Sequence, residues 1–85
     1  EVAEAKPAPD VYLLAAHKAG FAPSACLALE DSPNGVLAAV RAGMKVIGFA
    51  RETPASALLE AGAYQVALTM SEILELLNAQ FEFVS

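Results

Sequence analysis

The stretch that decides how this chain reads is LALEDSPNGVLAA, residues 27–39. An apolar run closes on two adjacent acids, Glu30 and Asp31, and a Ser-Pro-Asn-Gly turn follows. A helical apolar pattern then resumes at Val36. Ser32-Pro33 offers a hydroxyl at a helix N-cap and a proline at the first helical position, where its missing N–H costs nothing. The run before the acids is continuously apolar, as in parallel strands covered on both faces. The stretch therefore reads as strand, turn and helix, with two carboxylates at the carboxyl end of the strand.

The same grammar recurs outward from this point. HKAGF (17–21), VRAGM (40–44) and LEAGA (59–63) each place a glycine just past a helical pattern. A left-handed residue commonly ends a helix there. After each glycine comes a β-rich segment: CLALE (26–30), KVIGFA (45–50) and YQVALT (64–69). The first helix is expected from about Pro9-Asp10 to Ala19, with Tyr12, Leu13, Ala16 and Ala19 on one face. Thr53-Pro54 repeats the hydroxyl–proline signal, and Ser71 stands as a candidate cap before EILELLNA. The tail QFEFVS (80–85) alternates like a strand and is equally a frayed end. The order is helix, strand, helix, strand, helix, short strand, helix. That predicts a Rossmann-like α/β layer, a parallel sheet with helices on both faces.

Composition bounds what such a layer can do. With 85 residues the chain is one small domain at most, and chains of this size bury only about 60–65% of their unfolded surface. A deep, lidded active site is out of reach for it alone. Ten acids against five bases give a net charge of −5, which argues against a nucleic-acid partner. No apolar run approaches the roughly 20 residues that span a bilayer, and no signal-peptide pattern is present, so no membrane partner is expected. The single Cys26 allows no internal disulfide and suits a reducing, cytoplasmic setting, most simply as a small buried hydrophobe.

In open α/β sheets, ligands bind beyond the carboxyl ends of the strands, where Glu30 and Asp31 lie. Two carboxylates this close raise each other's pKa unless a cation compensates. A divalent metal or a lysine would serve. Adjacent hard oxygens, completed by water and phosphate, are how Mg²⁺ is usually held. Ser32 and Asn34 add polar groups beside them, the amides opening the next helix attract anions, and Gly35 lets the turn pack closely. The plainer alternative is an acidic turn that stabilises a helix start by about 0.3–1 kcal/mol through the macrodipole. Glu-Asp-Ser-Pro alone leaves both readings open.

A second motif separates them. K-P-A-P-D-V-Y-L begins at Lys6; a helix ending in Gly and the strand ending in E-D-S-x-x-G-x-x-A-A follow, and then a helix ending in A-G-M. This combination resembles the haloacid dehalogenase-like hydrolases, and most the branch containing β-phosphoglucomutase and small sugar-phosphate phosphatases. The likeness runs from Lys6 to about Leu77. It implies a partial catalytic core over residues 1–85, the C-terminal half of such a core with about three strands and four helices. The lysine motif spans 6–10 and the acidic metal motif 30–35.

The resemblance also implies roles. Lys6 offsets charge on the phosphoryl group and on a nucleophilic aspartate. Asp31 and Glu30 bind Mg²⁺ directly or through water, with Asp31 the leading ligand. Ser32 and Asn34 stand on the phosphate side, Ser32 in a supporting role. The Lys6-Pro7 bond is expected to be cis. The family's D-x-D-G-T strand, its phosphate-gripping Ser or Thr and its cap domain have no counterpart in this chain. The expected activity is that of a Mg²⁺-dependent phosphatase or phosphomutase acting through an aspartyl-phosphate on a small phosphorylated metabolite. It needs the N-terminal half of its own core, and these 85 residues alone are expected to be inactive.

Two other readings stand beside it. A halogenated-acid hydrolase on the same fold needs no metal, and relatives of that type generally lack the acidic pair. A non-catalytic α/β binding or signalling module leaves KPAPD without a role. Of the remaining residues, His17 reads as a partner for a helix C-terminal dipole. Arg51 reads as a solvated loop arginine or as a contact to substrate or to the neighbouring acids. Tyr12 and Tyr64 read as packing residues, and Phe81 and Phe83 as candidates for docking on the rest of the core.

Overall fold

The computed structural model describes residues 8–80. Lys6, the Lys6-Pro7 bond, Phe81 and Phe83 lie outside the described residues. The elements run α1 (Asp10–Ala19), a 3₁₀ turn (Pro23–Ala25), β1 (Leu27–Glu30), α2 (Pro33–Arg41), β2 (Lys45–Phe49), α3 (Ala55–Ala61), β3 (Gln65–Ala67) and α4 (Met70–Gln80). The three strands form one parallel sheet in the order β1-β2-β3. The register pairs Leu27 with Lys45 through Glu30 with Gly48, and Ile47 with Gln65 through Phe49 with Ala67. The expected α/β layer, its strand direction and its helix–strand alternation are all present.

The sheet divides the core in two. On one face Ala28 and Val46 pack with Val36 and Ala39 of α2, Leu58 of α3 and Ala63. On the other, Ile47 and Ala67 pack with Ile73 of α4. Helices therefore cover both faces, as the apolar runs predict. The middle of the central strand bears this out, since Val46, Ile47 and Gly48 are all buried, while Lys45 is exposed and Phe49 half-buried. β1 does so only in part: Ala28 is buried, whereas Leu29 is 47% exposed. β1 pairs on one side only among the described residues, and an edge strand has less to cover it.

The three glycines that close the helical patterns, Gly20, Gly43 and Gly62, have φ of 82°, 91° and 116°. A Cβ is poorly tolerated in that region, so these positions end their helices by backbone conformation. Helix starts are less uniform. Ser32 caps α2 as expected, its Oγ accepting from the Gly35 N–H at 3.0 Å with Pro33 as the first helical residue. Thr53-Pro54 does not repeat this. Pro54 is extended (φ −59°, ψ 143°) and itself precedes α3, with no side-chain cap. Its carbonyl starts the helix by accepting from Ala57 N at 3.1 Å.

Ser71 is not the cap of α4 either. Thr69 Oγ1 accepts from Glu72 N at 3.1 Å, and Glu72 Oε1 accepts from Leu68 N at 2.6 Å. Thr69 has an acid three residues on and Ser71 has Leu74, so only Thr69 can close this reciprocal capping pattern. On α1, Ala16 is buried and Tyr12 half-buried, while Leu13 and Ala19 are exposed; the buried stripe is narrower than expected. Cys26 is half-buried, not fully buried, with its thiol 3.5 Å from the Ala22 carbonyl. Among the described residues no helix is long and apolar enough to cross a membrane.

Candidate functional site

The site follows from where β1 and β2 stop. Glu30 is the last residue of β1 and is half-buried; Asp31 is the first residue beyond it and is exposed. Strand alternation turns Glu30 to the same sheet face as Ala28, toward the helical layer. Ser32 then caps α2, so the first turn of that helix starts directly beside the two acids. Arg51, Glu52 and Thr53 leave the end of β2 alongside.

Two clefts result. One, of about 310 Å³, is lined by Asp31, Ser32, Arg51, Glu52 and Thr53. The other, of about 240 Å³, is lined by Leu29, Glu30, Asp31 and Phe49. Asp31 lines both. The residues read from the sequence thus come together as Glu30, Asp31 and Ser32, whereas Asn34 is exposed on the first turn of α2 and lines neither cleft. Arg51, read as loop or contact residue, stands in the cleft of Asp31. Its guanidinium carbon is 5.7 Å from the centre of the Phe49 ring.

Tyr12 is more than a packing residue. Its ring lies against the core around Ala28, and its hydroxyl donates to Glu30 Oε2 at 2.5 Å. Burial, then the hydrogen bond to Glu30 and its charge, push the phenol up to about 12. Glu30 Oε1 faces Gly35 so closely that a Cβ there would collide with it and would stand 3.1 Å from Glu30 Cδ. The close packing expected of Gly35 is therefore against the first acid of the pair. The Tyr12–Glu30 bond joins residues 18 apart and depends on how α1 docks beside β1. Only the presence of a tyrosine in the lysine-motif segment hinted at it. Tyr64, by contrast, is exposed, and Lys45 Nζ lies 4.5 Å over its ring. His17 is exposed in the last turn of α1, at the helix end where a cation is favoured.

A family model described as haloacid dehalogenase-like hydrolase matches residues 1–43, half of the 85-residue chain. The chain belongs to this family.

Among curated proteins, a probable pseudouridine-5'-phosphatase of Drosophila melanogaster is 57% identical over 49 residues, 55% of this chain and 21% of that protein. Hexitol phosphatase A of Escherichia coli (strain K12) is 50% identical over 46 residues, 54% of this chain and 21% of that protein. Among solved structures, a haloacid dehalogenase family hydrolase from Deinococcus radiodurans R1, with bound phosphate and sodium, superimposes with a TM-score of 0.79 at 32% identity. That likeness covers 91% of this chain and 36% of the other. The chain thus spans about a fifth of the curated haloacid dehalogenase-like relatives it matches. At 91% of this chain, the match of the solved hydrolase reaches beyond residues 1–43, the segment matched by the family model.

Proposed function

We propose that this chain supplies the acidic motif of a Mg²⁺-dependent phosphatase or phosphomutase acting on small phosphorylated metabolites, sugar phosphates foremost. It works with core segments outside these residues, which provide the nucleophile. The observation that carries the reading is the arrangement at the end of β1. Asp31 shares one cleft with Ser32, which caps the next helix, and a second with Glu30, both at the carboxyl edge of a parallel sheet. Phosphatase names among the relatives, and phosphate bound in a structural neighbour, support it.

The donor chemistry fits a hard divalent cation. Among the described residues no group of three or more His, Cys, Asp or Glu side chains could hold a metal by itself. The chain offers two carboxylates, and Mg²⁺ characteristically takes one or two, with waters and phosphate oxygens completing its shell. The Gly35 side of Glu30, where a Cβ would fill the space its carboxylate occupies, leaves that acid room at the strand end. When bound, the cation supplies charge neutralisation for the phosphoryl oxygens.

The roles in this chain follow. Asp31, exposed and lining both clefts, is the leading ligand, and Glu30 the second. Ser32 holds the helix start toward the phosphate, and Asn34 is available on the same turn. Lys6 provides the compact positive charge for the phosphoryl group. The substrate and the N-terminal core are the partners of this site, and a small phosphorylated metabolite suits its open, polar clefts.

The test uses the full-length protein, an aryl phosphate and a panel of sugar phosphates, with and without Mg²⁺. Hydrolysis or phosphoryl transfer is expected only with the cation. Asp31→Asn is expected to lower kcat by about a hundredfold or more, the scale of removing one electrostatic stabiliser. Metal-independent turnover of a haloacid, or an Asp31→Asn enzyme at full rate, would overturn the reading.

A further inference from the structure

We infer that Tyr12 is a positioning residue for the site, holding the Glu30 carboxylate in the pose it uses toward a divalent cation. The inference rests on the reading of Glu30 as a ligand and adds a residue to it.

A Glu at a strand end samples many rotamers, and fixing it costs side-chain entropy when a cation binds. Here one of the two oxygens is already fixed. Oε2 accepts a 2.5 Å hydrogen bond from the Tyr12 hydroxyl, in the short range characteristic of O–H donors to an ionised carboxylate. Oε1 lies against Gly35, where no side chain intervenes. The carboxylate is thereby held from the first turn of α1 and lies in the space that Gly35 leaves at the first turn of α2. Tyr12 can hold its side because its ring is itself packed on the core beside Ala28.

Two consequences follow from this geometry. Hydrogen bonds to a ligating carboxylate orient it, and losing such a partner typically weakens metal binding by about 10–100-fold. The bond also fastens the lysine-motif helix to the acidic motif, since Tyr12 lies only six positions after Lys6. One side-chain contact thus ties α1 to the end of β1.

The experiment measures Mn²⁺ affinity of the full-length protein directly, by titration calorimetry or by the loss of the free-ion paramagnetic signal. Apparent Mg²⁺ requirement and kcat at saturating metal are followed in parallel. Tyr12→Phe keeps the ring and removes only the hydroxyl. It is expected to weaken Mn²⁺ by about 10–100-fold, to raise the Mg²⁺ requirement alike, and to leave kcat at saturating metal much less affected. Gly35→Ala, which forces the carboxylate off its seat from the other side, is expected to weaken Mn²⁺ in the same direction. In a Glu30→Gln background Tyr12→Phe is expected to add no further loss, an outcome that a purely structural tyrosine would not give. Tyr64→Phe serves as the control with unchanged affinity. Wild-type Mn²⁺ affinity in Tyr12→Phe overturns the positioning role alone. A wild-type protein that binds no Mn²⁺ overturns the metal reading and this inference with it.

Discussion

Gly48 lies directly beneath Leu58: a Cβ added to this strand residue would stand 3.0 Å from Leu58 Cβ and 3.1 Å from its Cδ1. Leu58 is fully buried against Val36, Ala39 and Val46 and has nowhere to move. A glycine in a strand interior ordinarily weakens it, so alanine would stabilise this position if there were space. The contact reverses the sign. Gly48→Ala is expected to destabilise by about 1–3 kcal/mol, the usual effect of overpacking a core. A lower urea midpoint with unchanged slope checks it. The same position borders Glu30 in the sheet register, so the close seating of α3 on β2 also sets the floor beside the acidic pair.

The start of α4 offers a cleaner comparison. Thr69 and Glu72 satisfy backbone donors at opposite ends of the same turn, whereas Ser71 is exposed within the helix. Thr69→Ala is expected to lower stability by about 0.5–2 kcal/mol, as loss of an N-cap does. Ser71→Ala is expected to be neutral or slightly stabilising, because alanine is the better helix former. Thermal melts of the two variants side by side decide between the caps.

This pair also shows what could be read from the chain and what could not. The three Ala-Gly helix ends, the Ser32 cap and the apolar strands are local signals, each carried by residues within a few positions of one another, and each appears where expected. The start of α3 falls one residue on, at an extended Pro54 with no side-chain cap, and at α4 two nearby hydroxyls, Thr69 and Ser71, compete for the cap. Packing decides which of them meets a free N–H. The exposure of Leu29 was illegible for a different reason. A continuous apolar run reports that a strand can be buried on both faces, whereas the cover each face receives comes from partners far along the chain, and among the described residues β1 has one neighbouring strand. The acidic site divides in the same way. Glu30, Asp31 and Ser32 are legible as adjacent residues at a strand end. The Tyr12 bond to Glu30 and the arrival of Arg51 in the cleft of Asp31 are products of tertiary contact.

Tyr12 gives the protein a pH dependence of defined sign. The folded state keeps the phenolic proton up to about 12, against an ordinary value of 10.0 in the unfolded chain. Between these values the folded state binds more protons, so stability falls as pH rises. Below pH 10 the contribution is fully present. Urea midpoints measured from pH 9 to 12 in the presence of a chelator are expected to decline more steeply for the wild type than for Tyr12→Phe, which has no proton to lose at this position. Parallel curves would show that the hydroxyl does not distinguish the two states.

Arg51 provides the last test, and it concerns binding more than stability. Among the described residues lining the cleft of Asp31, it alone is basic, with Asp31 and Glu52 as its acidic neighbours. Its guanidinium lies 5.7 Å from the Phe49 ring, so part of the side chain rests on an aromatic surface at the end of β2. The side chain remains exposed, which limits the strength of any one ionic contact it makes. A solvated loop arginine would leave kinetics unchanged when removed. An arginine that meets a phosphorylated substrate across an open cleft would raise KM and spare kcat. For the full-length protein, Arg51→Ala is expected to raise KM for a phosphate monoester by about three- to tenfold, the equivalent of ~1 kcal/mol, with kcat nearly constant. Arg51→Lys is expected to recover only part of the loss, because lysine keeps the charge and gives up the planar fork. The effect should shrink as salt is raised, since an exposed charge contact is screened. Steady-state kinetics at low and high ionic strength measure all three.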